Sequence, residues 1–244
     1  MAPQFLANLD IRPNHLPASV LRWTTGGWEG GHNALGPAPI SSFTALDAII
    51  ARLADRTLFP NLRTVIVAGH SGGGQVAQRY AILAPAPPPG IAVRYVVANP
   101  SSYAYFDAWR PDPVGLAACP RVNTWKYGMH ALPPYAPASQ SGPASPEFLE
   151  RRYAARNVTY LLGTADTDPQ QRALDKSCMG EAQGPYRLAR GLSYILHLRA
   201  RDKAAQQQKV YLVPGVGHNA RQMFTAACGL TALFNKPGCA PIAP

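Results

Sequence analysis

The sequence predicts an α/β fold with a mostly parallel central sheet and helices on both faces, and three observations predict it. Short apolar runs rich in β-branched residues alternate with amphipathic stretches from about residue 20 onward, the pattern of strand–helix–strand crossovers. Most of the apolar runs end in clusters of Gly, Pro, Asn or Asp, which mark the turns between elements. The chain has 244 residues and is 47% hydrophobic, enough for one domain, 1–244, with a large core.

Taken in order, Val20-Leu21-Arg22-Trp23 is a short strand candidate. Residues 44–54 read as a helix, because Phe43, Leu46, Ile49, Ile50 and Leu53 share one face and Thr44 with Asp47 fits a capping box. Phe59-Pro60-Asn61 ends that segment. Thr64-Val65-Ile66-Val67-Ala68 reads as a buried strand, and 75–83 behind it as a helix. Residues 85–89 form a stiff proline connector, and Val93 to Ala98 is the next buried strand. Residues 103–146 hold many prolines and aromatics without a sustained period, which predicts a lid or pocket wall inserted at about 103–146. A polar helix over 147–156 and a strand over 158–163 follow. Leu188, Leu192, Ile195, Leu196 and Arg199 mark a further amphipathic helix. Val210 to Val213 is the last strand, and 219–234 a closing helix with Asn219 as its N-cap.

Gly69-His70-Ser71-Gly72-Gly73 lies between a predicted strand and a predicted helix. That context makes it a nucleophile elbow, in which a strained turn projects a serine hydroxyl above the sheet. Gly69 and Gly73 are expected where strand and helix backbones leave no room for a Cβ, and the Gly72 N–H can face a developing oxyanion. A phosphate-binding loop is excluded because no Lys-Ser or Lys-Thr pair follows the glycines, and the glycine spacing of a dinucleotide site is absent. Serine needs a base, and the base needs an orienting group. His218 after the last strand and Asp166 after the strand before it supply both, in the chain order Ser, Asp, His. Asp168 competes with Asp166, the latter being nearer the strand end. His70 is expected to be structural. His15, His32, His130 and His197 lack the spacing of a metal pair.

These residues resemble the α/β-hydrolase superfamily of serine esterases and lipases, over most of the chain. More closely, Phe59-Pro60-Asn61, Gly69 to Gly74, Arg79-Tyr80-Ala81, Asn99-Pro100-Ser101-Ser102-Tyr103, Trp125-Lys126-Tyr127-Gly128 and Gly163-Thr164-Ala165-Asp166 are similar to uncharacterised secreted hydrolases of bacteria and fungi. The resemblance implies the α/β-hydrolase fold and cleavage of carboxylic esters through an acyl-enzyme, with Ser71, Asp166 and His218 as triad and no metal or organic cofactor. It implies a second oxyanion donor at Gln4 or Phe5, in the loop after an early strand. The superfamily has further strands ahead of that loop. The expected sheet therefore lacks the first N-terminal strands, by truncation or because they are dispensable, and leaves an edge open. Asn99, Ser101 and Tyr103, where a strand ends beside the nucleophile strand, are candidate substrate contacts, with a turn role the alternative for Asn99 and Ser101. Trp23, Trp28, Tyr105, Phe106, Trp109, Trp125, Tyr127 and Tyr135 either roof an apolar pocket or pack the insertion. An acyltransferase on the same triad and a non-catalytic binding protein keeping the scaffold are the alternatives.

With 23 basic and 13 acidic residues the formal charge is +10, attractive to anionic surfaces. The basic residues are scattered rather than clustered, which argues against nucleic acid as a partner and leaves a small-molecule or lipid-like ester as the expected substrate. No apolar stretch has membrane-spanning length, and the first residues lack the features of a signal peptide. The four cysteines have no zinc spacing. They allow three disulfide connectivities or four free thiols. The favoured pairing is Cys119–Cys178 and Cys228–Cys239, the second closing a short loop over Lys236-Pro237-Gly238. Disulfides and the resemblance together predict a secreted or periplasmic protein.

Overall fold

The computed structural model describes residues 1–112, 119–139 and 142–243. Four parallel strands, β1 (Thr64–His70), β2 (Ala92–Ala98), β3 (Val158–Gly163) and β4 (Lys209–Val213), form one sheet in that spatial order. Each crossover carries a helix: α2 (Gly72–Leu83) between β1 and β2, α3 (Pro146–Ala154) between β2 and β3, and α4 (Arg187–Arg201) between β3 and β4. With α1 (Ser42–Leu53), these pack on one face. Helices α5 (Ala220–Thr225) and α6 (Ala227–Phe234) cover the other.

Strand alternation builds the two cores. Tyr95 and Val97 of β2, with Tyr160 and Leu162 of β3, meet Tyr80, Leu149, Tyr194 and Ile195 on the first face. Val96 and Ala98, with Leu161, Tyr211 and Val213, meet Met223, Cys228 and Ala232 on the second. Strand β3 is buried throughout, the mark of a central parallel strand.

β1 corrects an expectation. It reads as a buried strand, yet none of its residues is fully buried, because it is the edge of the sheet and no described strand pairs with its outer side. An apolar groove of about 670 Å³ runs along that side, between Phe5, Trp28, Leu46 and Ile50 and the edge residues Val65 and Val67.

Three local expectations also give way. Val20–Trp23 is not a strand: Arg22 and Trp23 form only isolated bridges, to Gly36 and Ala7, because their backbone groups pair with loops rather than with the sheet. The cap of α1 is Ser41, whose Oγ accepts from the Phe43 N–H at 3.1 Å, not the Thr44/Asp47 box. Asp47 is instead the acceptor for the hydroxyls of Tyr80 (2.6 Å) and Tyr135 (2.9 Å). The closing helix is two helices, broken at the extended residue Ala226. Gly229 permits the bend, since a Cβ there would lie 2.2 Å from the Met223 carbonyl oxygen. Asn219 caps as expected, accepting from the Gln222 N–H at 2.9 Å.

Residues 103–112 and 119–139 form a packed wall, while 113–118 and 140–141 of the inserted segment lie outside the described residues. Tyr103, Tyr105, Phe106, Trp125 and Tyr127 are buried, so these aromatics pack rather than roof an open pocket. The buried Arg110 guanidinium fastens the wall by donating to the carbonyls of Asp107, Trp109, Val122 and Tyr127.

Both cysteine pairs are disulfides, Cys119–Cys178 across 59 residues and Cys228–Cys239 across 11, an arrangement that fits an oxidising environment. Loop-closure entropy makes the longer bridge worth more. Replacing Cys119 and Cys178 by Ala is expected to cost about 4 kcal/mol, and Cys228 and Cys239 about 3 kcal/mol, in urea unfolding. Equal losses would refute the ordering by loop length. No described helix is long and apolar enough to cross a membrane.

Candidate active site

Every side chain of the site hangs from the carboxyl end of a strand, where open parallel sheets gather their ligands. Ser71 follows β1 at φ 57°, ψ −121°, a conformation that side-chain-bearing residues rarely adopt. The turn is forced by close packing. A Cβ on Gly69 would lie 2.0 Å from the Gly73 carbonyl oxygen, and one on Gly74 would lie 2.6 Å from the Ala98 oxygen. Gly73 does not need to be glycine for space, because a Cβ there meets nothing within 4 Å. The second tight position is therefore Gly74, against the end of β2. Gly72 opens α2, so its N–H has no partner within the helix.

The Asp166 and His218 loops are laced together. Thr164 N–H donates to Val213 O at 3.1 Å, Ala165 N–H to Val216 O at 3.0 Å, and Gly215 N–H to Thr164 Oγ1 at 2.8 Å. Gly163 gives the His218 loop its room, since a Cβ there would stand 2.3 Å from the Val216 oxygen. Asn99 braces the end of β2 between them: its Oδ1 accepts from Gly163 N–H at 2.9 Å and its Nδ2 donates to Gly217 O at 3.4 Å.

This lacing brings three distant side chains into one chain of contacts. Ser71 Oγ lies 2.9 Å from His218 Nε2, and His218 Nδ1 lies 2.8 Å from Asp166 Oδ2. Asp166 is 2% exposed. Asp168, the competing carboxylate, is exposed and accepts from the Gln170 N–H in its own turn. His70 packs its ring 4.6 Å from that of His218, and burial, with His218 adding to it, pushes its pKa down to about 4. It stands beside the site as a neutral ring, with its buried Nε2 unpartnered among the described residues.

The other expected residues take different places. Phe5 stacks on Trp28 with centroids 6.0 Å apart, and the Trp28 ring edge reaches 3.1 Å from where a Gly72 Cβ would be. Gln4 lies beside Phe5 along the groove. Asn99, Ser101 and Tyr103 are all buried. Asn99 is the brace already described, Ser101 Oγ accepts from Asp175 N–H at 2.6 Å, and Tyr103 N–H donates to Gln183 Oε1 at 2.8 Å. Their polar sequence signal comes from tying strand ends together.

Sequence reasoning missed a charged cluster beside Gly72. Glu29 Oε1 lies 3.2 Å from the position of a Gly72 Cβ, and Glu29 pairs with Lys126. Burial and the neighbouring Arg79 push the Lys126 pKa down, against the pull of Glu29. Arg79, fully buried in α2, donates to Gln75 Oε1 (2.8 Å), Ser102 Oγ (3.0 Å) and Lys126 O (3.1 Å). A charged residue on the apolar face of α2 was the available signal for Arg79. Lys126 stood in a segment that carries the family resemblance, with no role assigned to it, and Glu29, in a short 3-10 turn, carried no signal.

The model of the alpha/beta hydrolase family matches residues 16–227. No curated protein matches the chain. Among solved structures, the chain is similar to poly(aspartic acid) hydrolase-1 from Sphingomonas sp. KT-1, at 26% identity and TM-score 0.55, over 77% of this chain and 62% of that one. It is also similar in fold to a poly(3-hydroxybutyrate) depolymerase from Bordetella parapertussis, at 19% identity and TM-score 0.59, over 86% of this chain and 64% of that one. The chain thus spans less than two thirds of the length of either structure.

Proposed function

The chain belongs to the alpha/beta hydrolase family, and from that premise we propose that it is a serine hydrolase cleaving carboxylic esters through an acyl-enzyme. The observation that carries this reading is the unbroken line from Ser71 Oγ through His218 to Asp166, at 2.9 Å and 2.8 Å. Ser71 attacks the acyl carbonyl as His218 Nε2 takes its proton. Asp166 holds the imidazole in the tautomer that can accept it and stabilises the imidazolium. The Gly72 N–H, with a second donor from Gln4 or Phe5, binds the tetrahedral oxyanion. His218 then protonates the departing alkoxide, and the acyl group stays on Ser71. Water, deprotonated by His218, releases the acid. Asn99 and Ser101 frame the site rather than touch substrate.

A second reading concerns the bond cleaved. The similarity to a poly(aspartic acid) hydrolase and the formal charge of +10 favour an anionic polyamide as an alternative substrate to a neutral ester. Comparing turnover of a short p-nitrophenyl ester with release of fragments from poly(aspartate) separates the two. The disulfides support secretion or a periplasmic location.

The direct test is a fluorophosphonate probe read by intact mass. One adduct on the wild type and none on Ser71→Ala are expected. An unlabelled wild type would favour a binding protein that keeps the scaffold. Product analysis with an alcohol acceptor distinguishes an acyltransferase.

A further inference from the structure

Arg187, the first residue of α4, is 1% exposed, and none of its three guanidinium nitrogens makes a hydrogen bond among the described residues. Its ion-pair partner among the described residues is Asp166, whose Oδ1 lies 3.6 Å from Nη1, while Oδ2 of the same carboxylate holds His218 and the exposed Asp168 acts on Arg187 from further off. A buried cation needs either hydrogen-bond acceptors or an opposite charge to balance it. An arginine used for structure alone would find carbonyl acceptors, as Arg190 does three residues on, where it donates to Gly184 O and Ser101 O. Arg187 forgoes them and faces the carboxylate.

We propose that Arg187 is a positioning residue of this site: its cation fixes the Asp166 carboxylate in place and offsets the pull of that carboxylate on the His218 proton. The proposal rests on the hydrolase reading above. It follows from the charge count. Asp166 and Arg187 set opposite charges side by side, with His218 on the far oxygen of the carboxylate. Without Arg187, the full negative charge of Asp166 would act on His218 and favour the imidazolium, leaving the base already protonated at mildly acidic pH.

The other ionisable groups around the pair do not replace Arg187. His70 on β1 is held neutral by burial. Tyr103, in the segment after β2, has its hydroxyl pushed well above its usual range by burial. Asp168, in the loop with Asp166, is exposed. Arg190, on α4, is bound to its own carbonyls.

The test is the pH profile of kcat/KM for a short p-nitrophenyl ester. In Arg187→Met the acid limb is expected to move up by about one pH unit, the size of an interaction between charges across one carboxylate in a protein interior. In Arg187→Lys it should stay within a few tenths of a unit of wild type. Loss of packing alone would lower the plateau or the melting temperature without moving the limb. An unmoved limb in folded Arg187→Met overturns the proposal.

If Arg187→Met does not fold, the comparison of Asp166→Asn with Asp166→Asn/Arg187→Met decides. The double variant should melt higher if the two groups balance each other, and the same or lower melting point overturns the pairing. Fluorophosphonate labelling of wild-type Ser71 keeps the two readings apart. No labelling sinks the hydrolase reading, whereas labelling with an unmoved limb sinks only the role of Arg187.

Discussion

Replacing Ser71 by Ala is expected to lower kcat for a p-nitrophenyl ester by about ten-thousand- to a million-fold, with the melting temperature almost unchanged. The size follows from the serine being the only atom donor to the acyl-enzyme. What remains is water attack helped by the oxyanion donors. Stability should hold because alanine keeps the Cβ and so inherits the same backbone strain at φ 57°, while among the described residues the lost hydroxyl bonds only His218 Nε2, at 2.9 Å. His218→Ala should cost as much, and Ser71→Ala/His218→Ala no more than either alone, since groups acting as one unit do not add. Additive losses would mean that the two side chains act separately. Unchanged turnover in Ser71→Ala, with product formation confirmed, would falsify the nucleophile assignment outright.

Gly69→Ala is expected to be the most damaging substitution in the chain that removes no functional group. Its methyl carbon would lie 2.0 Å from the Gly73 oxygen and 2.2 Å from the Gly73 carbonyl carbon, both backbone atoms with no rotamer to yield. Either β1 and α2 separate, or the elbow reshapes. The expected cost is about 4 kcal/mol or more, within the range of severe overpacking. Any protein that folds should carry Ser71 out of line with His218 and lose most of its activity. Gly73→Ala is the control. Nothing lies within 4 Å of its new carbon, and alanine stiffens the first turn of α2, so stability should be equal or up to about 1 kcal/mol higher. Urea unfolding of both variants, with fluorophosphonate labelling, checks the pair. Equal stabilities would refute the packing argument.

The elbow was legible in the sequence because its constraints are local. A β-branched run, glycines around a serine and a helix pattern occupy one short stretch of chain. Asp166 and His218 were legible because each follows a strand end, and a parallel sheet places all such ends on one side. The rest depended on information the chain does not display locally. Val20–Trp23 has strand composition but pairs only with loops. The break at Ala226 has no Gly or Pro at the break itself; its one local sign is Gly229, three residues on, which reads equally as a glycine tolerated within a helix. Arg187 reads as an ordinary polar residue at the start of an amphipathic helix. Only the tertiary structure buries it behind Asp166. Asn99 and Ser101 look like substrate ligands for the same reason that they make good braces, namely short polar side chains where strands stop.

Among the described residues, the strand that delivers Ser71 is hydrogen-bonded to a neighbouring strand on one flank only. Its outward amides therefore face the groove that Phe5 and Trp28 help to line, rather than a partner strand. Local opening of the sheet should begin there, so the first event in thermal inactivation is the nucleophile slipping from its base while β2, β3 and β4 remain intact. Activity would then fade at a lower temperature than bulk helix content.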